Sequence, residues 1–175
     1  MKNIAGRVAY VFADADFDVD QIVGVGNIKL QDPEALAGVA MQRFDPEFRA
    51  RVRAGDVLVG GRNFGYGHPH YPAMKAMRHM GVAAVIAESF FPVYWRGEIG
   101  MGFPQIACEG IVAAVERWDE VEVDWRAGVV RVRRSGAALP FAPHTRAELS
   151  ILEAGGFKAY LKQRMASHGT TQNAA

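Results

Sequence analysis

One stretch constrains the fold more than any other. Residues 55–89 read GDVLVGGRNFGYGHPHYPAMKAMRHMGVAAVIAES. Val57-Leu58-Val59 is a short apolar run after a Gly-Asp turn and predicts a buried strand. Gly60, Gly61, Gly65 and Gly67 follow, in a loop that must bend sharply or lie close against another part of the chain. A helix is expected from Pro72, because proline in the first turn removes an N–H that has no intrahelical partner. Met74, Met77 and Met80 recur along one face of it as core packing rather than a cofactor box. Gly81 ends the helix, and Ala83 to Ala87 predicts a second buried strand. Strand, glycine loop, helix, strand is a parallel crossover unit, so the chain is expected to be α/β. The loop sits at a helix N-terminus, where free N–H groups attract anions, and it carries His68 and His70.

The flanking sequence extends this unit. Val8 to Phe12 predicts a first strand. Asp14, Asp16, Asp18 and Asp20 then alternate at a spacing of two. A calcium loop would need glycine at its sixth position, where Val19 stands, so most of these aspartates read as a polar turn. Asp32-Pro33-Glu34 and Asp45-Pro46-Glu47 repeat one helix-start signal: an Asp cap, Pro at the first position, Glu in the first turn. Phe91 to Ile99 and Ile111 to Trp118 are expected as helices, with a strand at Gln105 to Ala107 between them. Val121 to Trp125 and Val129 to Arg133 alternate around Arg126-Ala127-Gly128 and predict a hairpin. Thr145-Arg146-Ala147-Glu148 is a capping box, and a last helix is expected from Phe157 to Met165. A single domain over 1–166 is expected, with a small polar tail over 167–175 expected to be disordered.

Composition excludes several classes. A net charge of +1 argues against a general nucleic-acid binder. The single cysteine, Cys108, allows neither a disulfide framework nor an iron–sulfur cluster held by this chain alone. There is no apolar run of about 18 residues and no secretory leader, so a cytoplasmic protein is expected. The GGxxxGxG run lacks the dinucleotide spacing, and no Lys-Ser/Thr follows for a phosphate loop. His68 and His70 could ligate a metal only with a third ligand such as Asp18 or Asp20, and no further pattern supports one. Arg62 and Arg96 could bind an acid, Cys108 reads as inert core, and His79 and His144 read as surface or capping residues.

These residues carry a family pattern. DFDVDQI at Asp16 to Ile22, DPEF at Asp45 to Phe48, GDVLVGGRNFGYG at Gly55 to Gly67, GVAAVIAESF at Gly81 to Phe90 and ILEAGGFKAYLKQR at Ile151 to Arg164 stand in one order across nearly the whole chain. Together they resemble the small subunit of 3-isopropylmalate dehydratase, equivalent to the swivelling C-terminal domain of aconitase. The resemblance implies a swivelling β/β/α domain with a mixed, mainly parallel sheet flanked by helices. It implies a hydro-lyase that dehydrates or isomerises a small hydroxy-carboxylic acid. It also implies a large partner subunit holding a [4Fe-4S] cluster, and no cofactor in this chain. The isolated chain could self-associate through its partner-facing surface.

The sequence departs from that pattern at two places. In the family the glycine loop continues as Ser-Ser-Arg, the first Ser acting as base and the Arg binding a substrate carboxylate. Here those positions are His68, Pro69 and His70. An imidazole is a better base than a hydroxyl at neutral pH, so His68 is the expected base. His70 is expected to bind substrate as a single-point donor, without the bidentate fork of Arg. Asp20 is the expected orienting group, and Asn63, Gly65 and Gly67 are expected to shape the loop beside the ligand. The family's Arg in the loop after its DxDTDxI segment is also absent from Gln21 to Asn27. Three readings stay open: a related hydro-lyase with another substrate, a rewired base, or a non-catalytic homologue acting as a binding or regulatory subunit.

Overall fold

The computed structural model describes residues 1–172, with side chains through residue 166. The chain begins with strand β1, Ile4–Phe12, and then helices α1, Pro33–Val39, and α2, Phe48–Arg51. The central unit is β2, Val57–Gly60, α3, Tyr71–His79, and β3, Ala84–Ala87. It continues through α4, Pro92–Gly100, β4, Gln105–Ala107, and α5, Ile111–Ala114. Strands β5, Glu120–Asp124, β6, Val129–Val132, and β7, Ala138–Pro140, lead to helices α6, Arg146–Glu153, and α7, Phe157–Gln172. Residues 173–175 of the expected polar tail lie outside the described residues.

The seven strands lie in the order β4-β3-β2-β1-β5-β6-β7. β1 to β4 pair in parallel, and β5 to β7 add an antiparallel meander on the other edge of β1. β1 serves both halves. Its first residues, Ile4 to Arg7, pair with β5, and Val8 to Phe12 pair with β2. The register shifts between Val8 and Tyr10, and Arg117 Nε donates to the Ala9 carbonyl at that shift. Gly6 is required nearby, since a Cβ there would sit 1.9 Å from the Gly55 carbonyl oxygen.

Alternation along the strands divides the core into two layers. Leu58, Val85 and Ala87 face a layer with Leu36 of α1, Phe48 of α2 and Met74 and Met77 of α3. Val57, Val59, Ala84 and Ile86 face Ile111 of α5 and Val121, Val123, Val130 and Val132 of the meander. The parallel sheet is thus covered by helices on one face and largely by the antiparallel strands on the other. That is the mixed α/β architecture expected.

Some local expectations need correction. Asp32 caps α1 by accepting from Ala35 N, but Asp45 does not cap α2. Asp45 accepts from Glu47 N and pairs with Arg117, so the second DPE closes a turn and the helix starts at Phe48. The expected Ile111–Trp118 helix stops at Ala114, where Val115 is extended and Trp118 turns left-handed at φ 75°. β7 carried no period-two signal because it is three residues long and ends on a proline.

Candidate active site

Parallel pairing sets Phe12 of β1 opposite Gly60 of β2, and so brings the loops leaving their carboxyl ends side by side. Those loops are Ala13 to Asp20 and Gly61 to His70. They are joined residue by residue. Asn63 Nδ2 donates to Asp16 Oδ1 at 2.6 Å, and Gly65 N donates to the Phe17 carbonyl at 2.9 Å. A Cβ on Gly67 would lie 3.9 Å from the Asp18 carboxylate. His70 closes the series on Asp20.

Each half of this clasp has a local reason to hold its shape. Asp18 caps a 3₁₀ turn, Val19–Ile22, by accepting from Asp20 N at 2.9 Å. That turn buries Asp20 to 6% exposure. On the other side, Asn63 takes φ 55°, a conformation Asn tolerates, and its N–H donates to Ser89 Oγ beyond β3. Phe64 is fully buried between Phe17, Phe90 and Tyr94, with ring centroids 5.5, 6.2 and 5.6 Å away. Gly65, at φ 83°, lies under the Tyr94 ring, where a Cβ would come within 2.2 Å.

The expected site residues come together in part. The Asp20 carboxylate accepts twice from His70: Oδ1 from the backbone N–H at 3.0 Å, and Oδ2 at 2.6 Å from Nδ1. The His70 side chain is 39% exposed while that of Asp20 is 9% exposed. The buried acid therefore holds a solvent-facing imidazole. With its proton on Nδ1, that imidazole leaves Nε2 as an acceptor. His68 is exposed, and its ring centroid lies 5.2 Å from that of His70. Asn63, Gly65 and Gly67 shape the loop. Asp16 and Ser89, not singled out from sequence, complete its bracing; the spacing-two aspartates were the available signal.

Other features lie apart from this cluster. Arg62 lines a cleft of about 370 Å³ with Ala13, Gly61, Glu88 and Val112. The Glu88 carboxylate there already accepts from Gly110 N and Val112 N. A larger groove of about 680 Å³ crosses the meander between Arg7, Glu120 and Arg133 and contains none of the expected site residues. Cys108 is buried, and desolvation, then the nearby Glu88, pushes its thiol up to about 11. One buried thiol held protonated does not fit the ligand set of an iron–sulfur cluster. His144 is no capping residue. Its Nε2 lies 2.8 Å from the Gln105 carbonyl and its ring packs among Trp95, Trp125 and Phe141.

Known proteins match most of the length of this chain. A family model for the aconitase C-terminal domain matches residues 25–109. The 3-isopropylmalate dehydratase small subunit 1 of Methanopyrus kandleri is 39% identical over 163 residues, 93% of this chain and 95% of its own. The chain belongs to the 3-isopropylmalate dehydratase small-subunit family. Within that family, the 3-isopropylmalate dehydratase small subunit of Pyrobaculum calidifontis is 40% identical over 92% of this chain and 98% of its own. The isopropylmalate/citramalate isomerase small subunit of Methanocaldococcus jannaschii is 37% identical over 93% and 96%. A crystal structure of 3-isopropylmalate dehydratase from that organism superposes with a TM-score of 0.85 at 30% identity, covering 97% of this chain and 99% of its own. That crystal structure shares the fold described above, and this chain presents His68-Pro69-His70 at the end of the glycine loop.

Proposed function

We propose that this chain is the small subunit of a two-part hydro-lyase of the 3-isopropylmalate dehydratase type. It acts on a small hydroxy-carboxylic acid together with a large subunit that carries a [4Fe-4S] cluster. The names of its relatives support the two-part assembly. The one buried thiol of this chain supports a cluster held by the partner. When bound there, the cluster supplies Lewis-acid assistance to the departing hydroxyl.

The observation that carries the chemistry is the Asp20–His70 pair. The resemblance to the family's Ser-Ser-Arg loop pointed to His68 as base. The pairing favours His70, because only His70 has its tautomer and orientation fixed by a buried carboxylate. In this reading His70 Nε2 takes the proton from the carbon next to the hydroxyl-bearing carbon. The C–H electrons form the double bond as the C–O bond breaks, and the departing hydroxide takes a proton from solvent to leave as water. Rehydration returns the proton from the imidazolium. His68, beside it, donates to a substrate carboxylate, and the left-handed turns at Gly65 and Gly67 keep the loop backbone close to the ligand. A purely binding subunit is not favoured, since such a role gives no reason to hold one exposed imidazole on a buried acid.

The test is co-expression with the large subunit, anaerobic purification, and a screen of hydroxy-di- and tricarboxylic acids by ultraviolet absorbance of the new double bond. A substrate-specific rate lost in His70→Ala is expected. A cluster-loaded complex inert toward every acid would overturn the hydro-lyase reading, and full activity in His70→Ala would overturn the base assignment.

A further inference from the structure

Helix α7 starts after Gly155-Gly156, and these glycines let the chain abut the end of α4. A Cβ on Gly102 would lie 2.5 Å from the Gly155 carbonyl carbon, and one on Gly156 would lie 3.1 Å from the Gly100 carbonyl oxygen. The helix is seated through its first turn, where Gly156 is buried and Ala159 and Tyr160 are half-buried. Beyond that turn, every residue from Leu161 to Met165 is exposed. Phe157, Leu161 and Met165 are 50%, 43% and 74% exposed, and their spacing of four sets them in one stripe along the helix. Met101, also exposed, stands where α4 meets α7. By helical position, Lys158 and Lys162 line one side of the stripe and Arg164 borders the other. Arg164 Nη1 donates to the Tyr160 hydroxyl at 3.0 Å. The sequence has no acidic side chain after Glu153.

We propose that the exposed stripe of α7 is an anchor for the large subunit, seated in an apolar groove of that subunit with carboxylates at its rim. This rests on the two-part reading above, which supplies the partner, and adds where the two parts hold together. Charge chooses the occupant. A second copy packed stripe to stripe would set one basic rim against another, and like charges facing across an interface are costly. A groove rimmed by carboxylates complements both flanks of the stripe. The stripe also needs a cover, because a helix gains most of its stability in water from packing an apolar face. Its place in the fold suits an anchor. Phe91, at the start of α4, meets the Tyr66 ring of the glycine loop at 5.7 Å, whereas α7 abuts the end of α4, nine residues on. That is about 13 Å along the helix axis, so a cover on α7 is set back from the reaction loop.

The experiment measures the affinity of the full chain for the large subunit by anaerobic calorimetry. It compares wild type with Leu161→Gln/Met165→Gln and Lys158→Glu/Lys162→Glu. These side chains are exposed, so the circular dichroism and urea midpoint of each variant should match wild type. The glutamine pair is expected to weaken binding about a hundredfold. The charge reversal should weaken it about tenfold and flatten its salt dependence. At saturating large subunit both variants should recover wild-type turnover. Equal affinity in wild type and the glutamine pair overturns the anchor, and turnover that stays low at saturation does so by placing α7 in the reaction itself. A wild-type homodimer that the glutamine pair dissociates, with large-subunit affinity unchanged, gives the stripe to a second copy and overturns the proposal. Wild-type binding to phosphatidylserine vesicles that the pair loses, again with that affinity unchanged, gives it to a lipid surface and overturns it too. A wild-type chain that binds no large subunit overturns the two-part reading, and the anchor with it.

Discussion

Asp20 and His70, fifty positions apart, meet twice: one carboxylate oxygen accepts the His70 backbone N–H and the other lies 2.6 Å from Nδ1. The pair needs an acceptor at both oxygens, which only a carboxylate supplies. Asn at position 20 would turn an amide N–H toward one of the two donors. Asp20→Asn is therefore expected to lower kcat of the complex about ten- to a hundredfold. His70→Ala should cost about 10²–10⁴-fold, the usual worth of a positioned base. Steady-state rates of the two variants beside His68→Ala check this order, and a larger loss in His68→Ala would reverse the assignment.

Two glycines of the same loop separate packing from backbone strain. At Gly65 an alanine meets both the Tyr94 ring at 2.2 Å and φ 83°, so Gly65→Ala should destabilise the fold by about 2–4 kcal/mol. At Gly67 the space is open except for the Asp18 carboxylate at 3.9 Å, and only the φ of 98° opposes a side chain. Gly67→Ala should cost about 1 kcal/mol. Urea midpoints measured side by side test the difference, and equal losses would mean that the Tyr94 contact relaxes freely.

Cys108 gives a chemical check on the core. With its thiol pushed up to about 11, the thiolate fraction at pH 7 is about 10⁻⁴. The folded chain should therefore resist alkylation at pH 7 and react readily once urea unfolds it. Fast labelling of the native chain would show the junction of β4 and α5 to be open.

His144 makes stability depend on pH. Burial lowers its pKa below the usual value of 6.5, although the Gln105 carbonyl and Glu148 pull the other way. Between the folded and unfolded values the unfolded chain binds more protons, so stability rises with pH across that window. The contribution is complete above about pH 6.5 and is lost as pH falls below it. The fall in urea midpoint between pH 7.5 and 5 should be smaller in His144→Gln than in wild type. Carboxylates such as Asp45 and Glu148, which are held below their usual range, add their own losses at lower pH in both proteins.

How much of this could be read from sequence depends on the range of each interaction. Asp32 and Thr145 cap helices through contacts three residues away, and both starts were legible. Asp45 carries the same local signal but is taken by Arg117, 72 positions later, and no local rule anticipates that. β4 and the β5–β6 hairpin were readable from their apolar pattern, whereas β7 is defined only by its pairing with β6. The site divides in the same way. His68, His70, Asn63 and the loop glycines stood out as a motif, and Asp20 through the family pattern. Which histidine Asp20 holds is set by β1 and β2 pairing in parallel, which puts position 70 beside position 20. His144 was misread because, apart from Phe141, the groups around it come from α4, the β5–β6 turn and β4, none of them adjacent in sequence.

The double use of β1 has a consequence for biosynthesis. β1 is central, and it leaves the ribosome before either of its partner strands. One of its edges waits for Val57 to Gly60, and the other for Glu120 to Asp124. Until the second of these emerges, residues 13–119 are already outside with one side of β1 unpaired, the kind of template on which nascent chains cross-pair. Nascent-chain protection is therefore expected to arrive late and in two stages, with the meander as the closing piece.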